Sequence, residues 1–196
     1  MHNHISTYKV LIASLSKRRH LLLNEMKIKY EILNHEVDES YSDKLKKSSI
    51  TDFLSKKKSD PFYRKLKKNQ LLITCDTIVW FKNKALGKPQ SLIEAATMLK
   101  SLSNAMHKVY SSICLTVNGK QVILNDETKV YFGKLKNSQI NHYVKNYDVM
   151  DRAGAYGIQD YIGHIGIERI DGSYNNVLGF PTRRFIEGLT KMNISI

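Results

Sequence analysis

The stretch "LLITCDTIVWF", residues 71–81, is the most apolar in the chain and carries one charge, Asp76, near its middle. A run of this kind has one comfortable place in a soluble fold, as a strand buried at the centre of a sheet. Asp76 then becomes the problem. A carboxylate buried without a partner costs several kcal/mol. It must therefore reach a cleft, a cation or a metal, unless it stands at a strand end and merely caps a turn. Apolar neighbours on both sides favour the cleft.

Other segments fall around this strand. "YKVLIA" (8–13) and "YEIL" (30–33) are strands, with a helix over "RRHLLLNEM" between them whose Leu21, Leu22 and Met26 face the core. A helix is expected from Ile50 to Lys58, N-capped by Ser49 or Thr51 and broken at Pro61. "SLIEAATMLKSL" (91–102) is a helix with Ser91 and Glu94 spaced as a capping box. "HKVYSSICLTV", Asn118-Gly119 and "QVILND" form a hairpin on a type I′ turn, and "ETKVYFG" extends it. "NSQINHYVKN" is a short helix and "DRAGAYGIQ" (151–159) a glycine-bearing loop. Two more strands are expected around Asp171-Gly172, then a closing helix with Pro181 in its first turn. This mixture indicates an α/β class with some antiparallel pairing.

The 196 residues suit a single domain, 1–196, with two lobes. Apolar runs fall well short of the ~18 residues of a membrane span, and no secretory leader is expected in "MHNHISTYKV". Cys75 and Cys114 lack metal-ligand spacing and read as buried free thiols of a reducing, cytoplasmic compartment. A net charge of +13 admits polyanion binding. Compositional drift accounts for the surplus as a whole, so function is assigned only to cations beside other signals.

One such place is "LIASLSKRRHLLLNEM". Lys17, Arg18 and Arg19 crowd the first turn of a helix, where the macrodipole disfavours positive charge. A strand, a loop with Ser14 and Ser16 and a helix N-terminus together make a phosphate seat, and arginine forks suit phosphate oxygens. The alternative is a solvated charge run beside an ordinary cap. Glu36, Asp38 and Glu39 form an oxygen-rich loop able to hold Mg²⁺ with substrate phosphates, or simply a solvated acidic loop. Lys58 and Lys88 stand open between phosphate contacts and plain surface lysines. Gln159 offers an amide that can both donate to and accept from a base edge, or closes a structural turn. No zinc, Walker or serine-hydrolase pattern is present.

Taken in order, "LIASLSKRR", "EVDES", "CDTIVWFKNKALGKP", "DRAGAYGIQ" and "DGSYNNVLGFP" resemble the Maf family of nucleotide pyrophosphatases, also called septum-formation-inhibitor-like proteins. The likeness spans nearly the whole chain. It implies an elongated Maf/Ham1-like α/β fold, a twisted mixed sheet with helices on both sides and a deep cleft between two lobes. The implied reaction splits a nucleoside triphosphate between its α and β phosphates with a divalent metal, Mg²⁺ or Mn²⁺. Ser14, Ser16, Arg18 and Arg19 match the family's first motif, with Lys17 in place of its proline. The acidic-loop residue falls on Glu39, the helix lysine on Lys58, the proton acceptor on Asp76 and the lysine before proline on Lys88. Glu39 and Asp76 are the implied metal ligands.

The same resemblance places the chain with the dTTP/UTP subgroup rather than the 7-methyl-GTP one. Arg18, Thr77 and Gln159 are its discriminating positions. A homodimer is implied; apart from the resemblance, the short apolar runs predict no membrane partner and the missing motifs disfavour a nucleic-acid one. A basic nucleic-acid-binding module and a division-regulating protein are the rival functions. The first lacks helix-turn-helix, RRM or zinc-finger patterns, and the second is compatible with catalysis.

Overall fold

The computed structural model describes residues 3–196, which form two compact units. Of these residues, the first takes 3–76, 111–126 and 179–196, and the second takes Thr77–Tyr110 and Glu127–Leu178.

In the first unit, β1 (Asn3–His4) pairs in parallel with the closing strand β9 (Ile194–Ser195). β2 (Lys9–Ile12) lies between β3 (Glu31–Ile32) and β4 (Gln70–Phe81), parallel to both, with Leu11 opposite Glu31 on one side and Leu72 on the other. Helix α1 (Lys17–Glu25) makes the crossover from β2 to β3, as parallel pairing requires. Helix α2 (Ser48–Ser59) precedes β4 and stops just before Pro61. Val10, Ile12, Leu23, Leu54, Leu72 and Ile113 are among the buried residues here.

The second unit opens with β5 (Lys84–Leu86), antiparallel to β4. Helix α3 (Leu92–Leu102) follows. Ser91 caps it by accepting from the Glu94 N–H at 3.1 Å, while the Glu94 carboxylate accepts from the Gln90 N–H at 2.7 Å. The reciprocal bond of the expected capping box thus lands one residue earlier. Strands β6 (Met106–Val117) and β7 (Lys120–Phe132), whose residues 111–126 belong to the first unit, are joined by Asn118 and Gly119, both at positive φ as the type I′ turn demands. Helices α4 (Asn137–Asn146) and α5 (Tyr161–Gly166), β8 (Ile167–Asp171) and α6 (Tyr174–Leu178) complete the unit. Its core gathers Val79, Leu99, Val130, Phe132, Tyr143 and Ile162. The chain returns to the first unit with α7 (Thr182–Lys191), capped by Pro181. The large sheet is mixed, in the order β3-β2-β4-β6-β7-β8 with β5 on β4, so the α/β class with a mixed sheet holds. Among the described residues no helix is long and apolar enough to cross a membrane.

Four local expectations are corrected. α1 buries Leu22 and Leu23, whereas Leu21 is exposed and Met26 half-buried. α2 starts at Ser48 behind Lys47, which takes φ 55°. Ser49 instead bonds back to Lys46, accepting from its N–H and donating to its carbonyl. Lys82 and Asn83, both at positive φ, close a β4–β5 hairpin where only a turn was expected. After Asp171-Gly172 there is a helix rather than a second strand. The Ser173 hydroxyl accepts from the Asn176 N–H at 3.3 Å, and the buried Asn176 amide donates to the Thr128 hydroxyl at 2.9 Å and the Val109 carbonyl at 3.1 Å. Those bonds draw the segment into α6 instead of a ladder.

Truncation separates the two faces of α1. Leu23→Ala is expected to cost about 2–5 kcal/mol, and Leu21→Ala under about 0.5 kcal/mol. Urea unfolding of the two variants measures the difference, and equal costs would reverse the assignment.

Candidate active site

The site in the first unit is built where the parallel pairing of β2 with β4 ends. Ile12, the last residue of β2, pairs with Ile73, and the Ala13 N–H still donates to the Ile73 carbonyl at 3.1 Å. There β2 turns into the Ser14–Ser16 loop and α1, while β4 runs on to Cys75 and Asp76. Strand ends of this kind collect loops and helix starts, which is where α/β folds bind ligands.

Asp76 is buried and needs a partner. α2 supplies one, because polar contacts fix how that helix lies in the unit. The Thr74 hydroxyl donates to the Ser55 carbonyl at 2.6 Å, the Thr51 and Ser112 hydroxyls share a bond of 2.6 Å, and the Gln121 amide donates to the Ser59 hydroxyl at 2.7 Å. Held in this way, α2 presents Lys58 from its last turn. The Lys58 ammonium donates to Asp76 Oδ1 at 2.6 Å and lies 2.8 Å from Glu39 Oε1. The Lys58 side chain is 14% exposed and that of Asp76 8%, so the pair works in a medium poorer than water. Burial pushes the Asp76 carboxyl above its ordinary 3.8; the Lys58 ammonium and, more weakly, the Arg19 guanidinium oppose that shift.

The neighbouring lysines have separate duties. Lys57 donates to Asp38 Oδ2 at 3.1 Å and to the Ser40 carbonyl at 3.0 Å, tethering the loop that carries Glu39. Bonds from Ser40 and Lys57 lower the Asp38 carboxyl to about 2. Lys56 pairs with Asp60 at 3.0 Å. The sequence signal for this division of labour was the lysine run facing an acidic loop, but a run of like residues conceals which member goes where.

Across the β2–α1 loop, Arg19 donates through Nη1 to the Ser14 hydroxyl at 3.0 Å and through Nε to the Gly179 carbonyl at 2.9 Å. The Ser14 hydroxyl also accepts from the Ser16 N–H at 3.3 Å. Ser16 occupies the N-cap of α1 without a capping side-chain bond, and Arg18 is half-buried in the first turn. The first unit thus brings together Asp76, Lys58, Glu39, Arg19 and Ser14 of the predicted residues.

Thr77, Lys88 and Gln159 belong to the second unit. Thr77 follows Asp76 on β4 and is half-buried. Lys88 pairs with Asp151 at 2.6 Å, both side chains being about half exposed. Gln159 ends the glycine-bearing loop, and its amide oxygen is buried without a hydrogen-bond partner among the described residues. Sequence reasoning missed what surrounds it. Tyr143, buried on α4, donates through its hydroxyl to Asp160 Oδ2 at 2.7 Å and accepts from the Gly157 N–H at 3.1 Å.

Glu39 and Asp76 come from different segments and converge on one cationic position, now held by the Lys58 ammonium. Carboxylate oxygens are the donor type that a hard divalent cation takes, and among the described residues no group of three or more His, Cys, Asp or Glu side chains is gathered as a metal site.

An α/β protein with a buried carboxylate, a lysine and an arginine-bearing helix start where two parallel strands part has a frame of the kind that receives anionic ligands. The chain belongs to the Maf family, whose model, described as "Maf-like protein", matches residues 9–192. Relatives named dTTP/UTP pyrophosphatase include one from Flavobacterium johnsoniae, 42% identical over 96% of this chain and 97% of its own length. Another, from Christiangramia forsetii, is 45% identical over 96% of each chain. A third, from Bacteroides thetaiotaomicron, is 37% identical over 98% of this chain and all of its own. Among solved structures, a nucleoside-triphosphatase (dITP/XTP pyrophosphatase) from Mycobacterium abscessus is similar at a TM-score of 0.45 and 14% identity, covering 94% of this chain and 95% of that one.

The raised Asp76 carboxyl has a consequence for stability. The folded state holds this proton more tightly than the unfolded chain does. Between 3.8 and the raised value, stability therefore falls as pH rises. In metal-free buffer, Asp76→Asn should remove that downward limb from unfolding free energies measured at successive pH values. An unchanged slope would mean that the carboxyl titrates normally.

Proposed function

We propose that this chain is a nucleoside triphosphate pyrophosphatase that hydrolyses dTTP and UTP to the monophosphate and pyrophosphate. Membership of the Maf family and the names of its relatives support the activity. The observation that carries the mechanism is the approach of Lys58 to both Asp76 and Glu39, 2.6 and 2.8 Å away.

In this reading Asp76 orients a water and takes one of its protons. The water oxygen bonds to phosphorus as the bridge between the α and β phosphates breaks, and pyrophosphate leaves with the electron pair. Burial raises the affinity of Asp76 for that proton, which suits a general base. Lys58 keeps Asp76 in place and, with Lys88, Arg18 and Arg19, offsets charge growing on the phosphoryl oxygens and the leaving group. Ser14 and Ser16 bind phosphate oxygens from the α1 start. Glu39 and Asp76 would hold Mg²⁺ or Mn²⁺, which supplies neutralisation of the triphosphate and acidification of bound water.

Thr77 and Gln159, with Arg18, choose the base. The Gln159 amide oxygen lacks a donor among the described residues, and the N3–H of thymine or uracil is one. The neighbouring O4 of the same base accepts from the amide nitrogen. A cytoplasmic homodimer is part of this proposal and rests on the family resemblance.

Pyrophosphate release from a panel of nucleoside triphosphates tests the reading. Release is expected from dTTP and UTP with Mg²⁺ or Mn²⁺, and not from purine nucleotides or after chelation by EDTA. Asp76→Asn should keep the fold and lower kcat by roughly 10²–10⁴. Near-normal dTTP turnover by that variant would refute the role of the carboxylate. A silent panel together with tight, salt-sensitive RNA binding would refute the activity.

A further inference from the structure

We propose that Tyr143, Asp160 and Arg152 form a latch that sets the Gln159 amide, and that these three are positioning residues for base selection. The inference rests on the assignment of Gln159 to the base.

Asp160 occupies the N-cap of α5, where a carboxylate ordinarily accepts from the first helical N–H groups. It makes no such bond. Its Oδ2 instead accepts from the Tyr143 hydroxyl at 2.7 Å and stands 2.7 Å from Arg152 Nη1. The Arg152 contact is an ion pair rather than a directed hydrogen bond, and the two side chains are 12% and 10% exposed. The Arg152 Nε donates to the Asp148 carbonyl at 2.6 Å, so the guanidinium is held from its other side.

The loop between these partners is pinned along its length. The Gly154 N–H donates to the Gly87 carbonyl at 3.0 Å, Tyr156 Oη lies 2.7 Å from His107 Nε2, and the Gly157 N–H donates to the Tyr143 hydroxyl at 3.1 Å. At Gly157 a Cβ would sit 1.9 Å from Arg152 Nη1 and 2.5 Å from Asp160 Oδ2, so the latch closes directly over the glycine. Within residues 152–160, Gln159 carries the buried side-chain acceptor that lacks a partner. The chain thus satisfies or pairs the groups on either side of Gln159 and leaves that one oxygen to be filled. An acceptor held rigidly penalises a base that offers it no N–H far more than a mobile one does. Losing the Tyr143 hydroxyl frees Asp160, and Gln159 next to it, without emptying the core position.

The test is a double-mutant cycle on the holoenzyme with Mg²⁺, reading kcat and KM for UTP and CTP. Tyr143→Phe should raise KM for UTP about tenfold at nearly unchanged kcat, and lower the UTP-over-CTP preference by a similar factor. Asp160→Asn should move the same two quantities in the same direction, and it serves alone should Tyr143→Phe not fold. In a Gln159→Ala background neither change should reduce the preference further. A preference unaltered in Tyr143→Phe and Asp160→Asn overturns the latch, as does a full additional loss in the Gln159→Ala background. A Gln159→Ala enzyme that keeps its preference overturns the base assignment, and the latch with it. Gln159→Ala effective with the other two silent overturns the latch alone.

Discussion

Most of the first unit can be understood as the accommodation of one charge. Asp76 stands in a strand most of whose other residues are apolar and buried, and little water reaches it there. Its compensation comes from Lys58, eighteen residues earlier in the chain on a helix. For that ammonium to arrive within bonding distance, α2 must hold one depth and one rotation. The hydroxyls and amides of Thr51, Thr74, Ser112 and Gln121 provide this, where purely apolar packing would tolerate sliding. Asp52 adds to the seam by accepting from the Ser112 hydroxyl at 2.6 Å and the Asn125 amide at 3.1 Å. A buried pair of this kind is weak evidence for stability, since its desolvation cost rivals its attraction.

The acidic loop and the α1 start are joined to that pair by charge rather than by apolar contact. Lys57 and Lys58 are adjacent in sequence yet point at Asp38 and Glu39, so one turn of helix anchors one short stretch of loop. Arg19 bonds two neutral oxygens, Ser14 Oγ and the Gly179 carbonyl, and its charge also acts on the Asp76 carboxyl. The α1 start is thereby tied to the same carboxylate that Lys58 holds.

Elements with strong local patterns were legible in the sequence. The apolar run of β4, the Asn118-Gly119 hairpin and the Ser91 cap each follow from residues within one element. The same was true of the isolated acid, Asp76, since a charge in an apolar run announces a partner without naming it. Less legible was whatever depends on distant chain. The segment after Asp171 has strand-like composition, yet Thr128, forty-eight residues before Asn176, draws it into a helix. Nothing in the local sequence marks Asp160, and only the fold reveals that Tyr143 and Arg152 claim its carboxylate. In α1 three consecutive leucines fit more than one helical face, and packing chose Leu22 and Leu23. The turn at Lys82-Asn83 lacks the glycine that usually signals a hairpin, so β5 was hidden.

One feature of β4 sets the chemical temperament of the site. Cys75 precedes Asp76, and alternation along a strand sends the two side chains to opposite faces. Burial pushes the Cys75 thiol up to about 11, and Cys114 is pushed up in the same way. At neutral pH both sulfurs therefore stay protonated in the apolar interior. The Asp76 carboxyl has no thiolate rival for its proton, and oxidants meet no reactive sulfur anion next to it in the strand.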